Sequence, residues 1–235
     1  MATQKISLQV SDGTSMQAYV SMPEGKGPFP AMLVLQEAFG ITAHIRSIAD
    51  RIAKEGYVAI APELFHRSAA PGFEASYGDM TSIMPHFQAM SVEGMSADMK
   101  AAYDWLQKQP NVKHAKIGSI GFCLGGRVSF LANAVLPLAA AVSFYGGKTS
   151  DYADKAKDLH APHLFFWGGL DKHISAEQID IVINAVKAAE KPYTNVVISN
   201  VDHGFNCDDR ASYNKHAASE TWAMSMAFFK NNLGE

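Results

Sequence analysis

The chain has 235 residues, 48% of them hydrophobic and 18% charged, with a net charge of −3. That length can bury one sizeable core, and the composition is that of an ordinary globular protein. The charge balance excludes a basic footprint for nucleic acid, and no apolar run approaches the length that spans a bilayer.

The start, Met1-Ala2-Thr3-Gln4-Lys5, lacks the apolar stretch of a secretory leader. Only two cysteines occur, Cys123 and Cys207, so a reducing, cytoplasmic setting is expected. Residues 5–10 and 16–22 read as a hairpin joined by the turn signal Ser11-Asp12-Gly13. Residues 31–36 form a continuous apolar run suited to a strand buried on both faces. Ile45, Ile48, Ala49, Ile52 and Ala53 then recur at helical spacing, and Gly56 closes that helix. Residues 57–61 read as the next strand, ended by Pro62. Met99, Ala102, Tyr103 and Leu106 mark a second amphipathic helix that stops before Pro110.

Between them, residues 63–94 are long, Met-rich and weakly periodic. A connection of that length is either a lid or pocket-lining loop, or a surface excursion of short helical turns. Residues 115–120 read as a buried strand and 126–134 as a helix. Strands follow at 139–144 and 163–167. Ile179, Val182, Ile183 and Val186 give a helix, residues 193–198 a strand, and Trp222, Met226, Phe229 and Leu233 one face of a last helix. This alternation predicts a single α/β domain over 1–235, with a mostly parallel central sheet and helices on both faces. Ligands of such sheets bind outside the carboxyl ends of the strands.

The chemistry concentrates at Gly121-Phe122-Cys123-Leu124-Gly125-Gly126, a Gly-x-nucleophile-x-Gly step between strand and helix. Such a step makes a sharp turn that lifts one side chain clear of the sheet. The nucleophile there sits at positive φ, a conformation that non-glycine residues adopt only under strain. A cysteine attacks carbonyls as thiolate, and the helix opening beyond Cys123 favours that anion. The bland alternative is a buried cysteine among loop glycines.

An orienting acid and a histidine should follow in chain order. Asp171 follows the strand at 163–167, and His203 follows the last strand, so both fall on the sheet edge that carries Cys123. Asp202 is the alternative acid, although adjacency in sequence turns it away from His203. Among the other histidines, His66 and His173 are the nearest competitors, while His44, His114, His160 and His216 read as solvated. Tyr145 also ends a strand on this edge, where it either lines the pocket or packs with its hydroxyl hydrogen-bonded. Cys207 has no Cys-x-x-Cys or His-x-x-x-His partner set, so no metal and no cofactor is expected.

Four ordered segments carry a family resemblance: Gln36-Glu37-Ala38-Phe39-Gly40, the Cys123 step, Trp167-Gly168-Gly169-Leu170-Asp171 and Asp202-His203-Gly204-Phe205. With them the chain resembles the dienelactone hydrolase family, a cysteine-nucleophile branch of the α/β-hydrolase fold. The resemblance implies cleavage of a small-molecule lactone or ester by Cys123, His203 and Asp171. It implies that Glu37 pairs with the resting cysteine and takes its proton when substrate binds. It places the oxyanion donors at the backbone N–H groups of Leu124 and Ala38. It also implies a substrate carboxylate held by arginine, for which Arg67 and Arg210 are candidates. Here the chain departs from the pattern, because His203 and Arg210 are separated by a longer segment that includes Asp208 and Asp209, with which Arg210 alternatively pairs as a structural salt bridge. Two further readings stand beside this one: a general carboxylesterase or thioesterase, and a silent hydrolase-fold protein that binds without turnover. Monomer and homo-oligomer are equally open.

Overall fold

A computed structural model describes residues 1–234. Its strands are β1 (Ala2–Gln9), β2 (Ser15–Met22), β3 (Phe29–Leu35), β4 (Val58–Pro62), β5 (Val112–Phe122), β6 (Ala140–Phe144), β7 (His163–Gly168) and β8 (Tyr193–Ile198). They form one sheet in the order β1-β2-β4-β3-β5-β6-β7-β8. The helices are α1 (Ala43–Lys54), α2 (Met80–Gln88), α3 (Val92–Gln107), α4 (Leu124–Val135), α5 (Ala176–Ala188) and α6 (Lys215–Leu233). The chain packs as two compact units, residues 1–117 and 118–234.

In the first unit, β1 and β2 form the predicted hairpin, with Ala2 opposite Met22 and Gln9 opposite Ser15. Asp12 closes its turn by accepting the Thr14 N–H at 3.0 Å. β2 runs antiparallel to β4, and β4 parallel to β3. The apolar stripe of α1 is wholly buried, including all five residues that set its periodicity. Each fully buried isoleucine of that stripe contributes roughly 1.5–3 kcal/mol relative to an exposed one. His44 lies on the same buried side, at 4% exposure. The expectation that it is solvated is therefore corrected: its helical neighbours Ile45 and Ile48 carry it inward.

The connection at 63–94 resolves into an irregular stretch, the short helix α2 and the first residues of α3. Asp79 caps α2 by accepting the Ser82 N–H at 3.1 Å, and Ser91 caps α3 through the Gly94 N–H at 3.0 Å. Phe65 packs against Phe73, His86 and Phe87 with ring centroids 5.5–6.3 Å apart, tying α2 to the stretch before it. Its sequence signal is weak because only Ile83 of α2 is buried and Pro85 interrupts the pattern.

In the second unit, β5, β6, β7 and β8 pair in parallel, each with the next. β6 and β7 are buried along their whole length. That matches unbroken apolar strands covered on both faces. β8 is half-exposed, with Val197 51% accessible, as an outermost strand should be. β5 begins three residues earlier than the sequence suggests, since residues 113–116 are largely exposed and carry no apolar signal. Thr149–Asp158 forms 3-10 turns on either side of a kink at Tyr152; it buries only Thr149 and Ala156 and so shows no helical stripe in the sequence. Among the described residues, no helix is long and apolar enough to cross a membrane.

Candidate active site

Cys123 stands between β5 and α4 with φ 55° and ψ −113°. For a residue with a Cβ this region costs on the order of 1–3 kcal/mol, so the surroundings must impose it. Two features do. The Cys123 N–H donates to the Phe144 carbonyl on β6 at 3.0 Å. Gly121 allows the start of α4 to cross the end of β5, for a Cβ there would collide with the Gly125 carbonyl. The helix consequently begins at Leu124, two residues before the expected start, because the turn enforces it despite the poor helix propensity of Gly125 and Gly126. The Cys123 side chain is partly exposed, whereas Cys207 is fully buried; neither forms a disulfide.

Asp171 and His203 stand on the loops that follow β7 and β8. Two backbone bonds join their loops, Gly169 N–H to Ile198 O at 2.7 Å and Leu170 N–H to Val201 O at 2.9 Å. The approach needs glycine, since a Cβ on Gly169 would meet the Ser199 backbone at 2.7 Å and one on Gly168 the Val201 carbonyl at 2.7 Å. The loops so joined place His203 Nδ1 2.7 Å from Asp171 Oδ2. The Asp171 side chain is only 1% exposed, and its Oδ1 accepts the His173 N–H at 2.8 Å. His203 also shares a hydrogen bond with Cys123. With Nδ1 engaged by Asp171, the ring nitrogen left for sulfur is Nε2.

Burial of the His203 ring opposes its protonation. The negative charge of Cys123, then the hydrogen bonds to Asp171 and Cys123, outweigh that and push the imidazole up to about 10. A cation is thus held beside sulfur, the setting that keeps a thiolate available.

Of the competing groups, Asp202 accepts the His203 backbone N–H at 2.6 Å and so fixes the loop rather than the ring. His66 binds Asp98 at 2.9 Å in the first unit. His173 is exposed, with its ring edge-on to His203 at 5.3 Å. Glu37 and Ala38 directly follow β3 in the first unit, both buried at a tight turn in which Glu37 bridges Gly40.

The two arginines differ. Arg67 donates Nε to Asp12 at 2.7 Å and both terminal nitrogens to Asp98, at 2.9 and 2.8 Å. Its fork is filled by two carboxylates, the arrangement of a structural clamp. The expectation that Arg67 binds substrate is not supported by this geometry. Arg210 instead lays its guanidinium against Gly204, next to His203, where a Cβ would come within 2.5 Å of Cζ. Tyr145 is fully buried, 5.0 Å from the His203 ring and 5.2 Å from Phe205 between centroids. It packs beneath the histidine instead of presenting itself to solvent.

The model of the dienelactone hydrolase family matches residues 16–233 of this chain. This chain belongs to the dienelactone hydrolase family. It is 35% identical over 236 residues to an Escherichia coli O157:H7 protein provisionally named carboxymethylenebutenolidase, covering 96% of this chain and 86% of that one. It is 32% identical over 185 residues to the carboxymethylenebutenolidase of Pseudomonas putida, covering 77% of each. A crystal structure from Klebsiella pneumoniae, provisionally named dienelactone hydrolase, superposes with a TM-score of 0.87 at 33% identity, covering 97% of this chain and 99% of that one. Family membership makes the chain a hydrolase with the α/β-hydrolase fold, acting on a small molecule.

Buried polar residues without a sequence assignment near this site are Ser143, His163 and Asn133. Their signal was available as polar side chains within otherwise apolar elements.

Proposed function

We propose that this dienelactone hydrolase family member cleaves a lactone or activated ester through a Cys123 acyl-enzyme. The observation that carries the reading is the line Asp171–His203–Cys123, with the sulfur on a strained, partly exposed turn. The Cys123 thiolate attacks the carbonyl carbon, and the resulting oxyanion accepts a hydrogen bond from the Leu124 N–H. Leu124 is the first residue of α4, so its N–H has no acceptor within the helix. As the carbon–oxygen bond breaks, the His203 imidazolium gives its proton to the leaving oxygen. Water then attacks the thioester while His203 takes its proton, and the thiolate departs with the acid released. Asp171 holds Nδ1–H and stabilises the ring cation in both steps.

Thiolate is a better leaving group than most alkoxides, so collapse of the tetrahedral species favours substrates with good leaving groups, such as enol lactones. If a substrate carboxylate is recognised, Arg210 is a candidate because its guanidinium lies against Gly204, next to His203. The test is hydrolysis of a dienelactone and of p-nitrophenyl acetate by wild type and Cys123→Ala. Loss of both activities in the variant supports the reading. Undiminished turnover would end it. Cleavage of the ester alone would keep Cys123 and favour a general esterase.

A further inference from the structure

Beneath the Cys123 turn lies a buried titratable group that the reaction does not use. His163 opens β7 and is fully buried, as are Ser143 on β6 and Asn133 on α4. Their hydrogen bonds form a single directed line. Asn133 is oriented by the backbone of Ala161, which donates N–H to Oδ1 at 2.9 Å and accepts from Nδ2 at 2.9 Å. Nδ2 therefore faces His163 Nδ1, at 3.3 Å, and donates to it. The Ser143 hydroxyl donates to the Gly126 carbonyl at 2.6 Å, because a carbonyl can only accept. With its one proton so committed, Ser143 Oγ accepts from His163 Nε2 at 2.8 Å. The histidine is thus the neutral Nε2–H tautomer, and burial agrees with that charge state by holding its pKa down to about 3.

The line leaves α4 at Asn133, crosses β7 and β6, and returns to α4 at Gly126. Gly126 and Asn133 stand seven residues apart, about 10 Å along the helix. Gly126 is the third residue beyond Cys123, and Phe144, beside Ser143, accepts the Cys123 N–H. Consecutive residues of β6 therefore grip the turn on both sides of the nucleophile. A strained φ/ψ persists only where its surroundings over-determine it. In such a site a misplacement of about 1 Å can cost on the order of 10²-fold in rate.

We propose that Ser143 and His163 are positioning residues for the reaction, their hydrogen-bonded line fixing the first turn of α4 and with it the Cys123 backbone and the Leu124 N–H. This rests on Cys123 being the nucleophile, as argued above.

The experiment measures the pre-steady-state burst of p-nitrophenolate from p-nitrophenyl acetate, with KM and the iodoacetamide alkylation rate of Cys123, well below each variant's melting temperature. Ser143→Ala is expected to slow the burst and the alkylation roughly ten- to a hundredfold while KM stays within about twofold. Ser143→Thr, which keeps the hydroxyl, should restore most of the burst rate. His163→Leu, which keeps Ser143 but removes the donor that orients it, should slow the burst less than Ser143→Ala, and His163→Gln should recover part of the loss. Should Ser143→Ala not fold, the His163 pair carries the same comparison. A wild-type burst rate in Ser143→Ala or His163→Leu overturns the proposal, as does a Ser143→Thr protein as slow as Ser143→Ala. Cys123→Ala separates the two claims. A burst surviving there defeats the nucleophile assignment, whereas its loss there beside an unchanged Ser143→Ala defeats only the positioning role.

Discussion

Asp171 Oδ2 lies 2.7 Å from His203 Nδ1, and the carboxylate that makes this contact is almost wholly buried. A buried acceptor at that distance fixes the ring tautomer and rewards the ring for carrying charge. Asp171→Asn removes the negative charge while keeping the size, so it is expected to lower kcat roughly 10²- to 10⁴-fold with the fold intact. Steady-state kinetics beside a melting curve checks this. An Asp171→Asn protein with near wild-type kcat would show that the contact is structural only.

The charge on Cys123 is a cause of the raised His203 pKa, which reaches about 10 against an ordinary 6.5. Removing the sulfur should therefore lower it. Histidine NMR is expected to show His203 still protonated at pH 8 in wild type and titrating at a lower pH in Cys123→Ala. The stability effect follows the same direction. A raised folded pKa makes this group's contribution complete below pH 6.5, and that contribution is lost as pH climbs toward 10. Equal His203 titration in the two proteins would remove Cys123 from its environment.

His163 works in the opposite window. Its folded pKa is held near 3, so between there and 6.5 the unfolded chain binds a proton that the folded chain does not. Stability is thus present above pH 6.5 and falls as pH drops, by about 1.4 kcal/mol per pH unit for this one group. His163→Gln should flatten the decline of denaturation midpoints over that acid range. Parallel curves for variant and wild type would contradict the assignment.

Arg67 and Arg210 should separate by substrate. Arg67→Ala leaves the buried Asp98 carboxylate without its fork, so a loss of about 1–3 kcal/mol in stability is expected with KM unchanged. Arg210→Ala should raise KM for a carboxylated lactone while leaving KM for p-nitrophenyl acetate nearly constant. An equal effect on both substrates would mean that the Arg210 guanidinium only holds Gly204 and the histidine loop.

Much of the fold and of the candidate site is legible in the sequence. Strand and helix alternation followed from apolar periodicity, because β3, β6 and β7 are buried throughout and α1 buries one stripe. The Cys123 turn was legible because Gly121 must admit α4 at close range. Asp171 and His203 were legible because both end strands on one edge. What stayed hidden depends on side chains meeting across long stretches of chain. Nothing near Arg67 in sequence announces Asp98, thirty-one residues on. His44 looked polar but rides the buried side of α1. Ser143 and His163 are single polar residues within apolar strands, and their partners on α4 lie far from them in sequence.

The most direct test of the central claim is intact-protein mass spectrometry within the first turnovers of p-nitrophenyl acetate. The account predicts a mass increase of one acetyl group, mapped by digestion to the peptide holding Cys123 and absent in Cys123→Ala. An acetyl group on another residue, or rapid hydrolysis by Cys123→Ala, would contradict it.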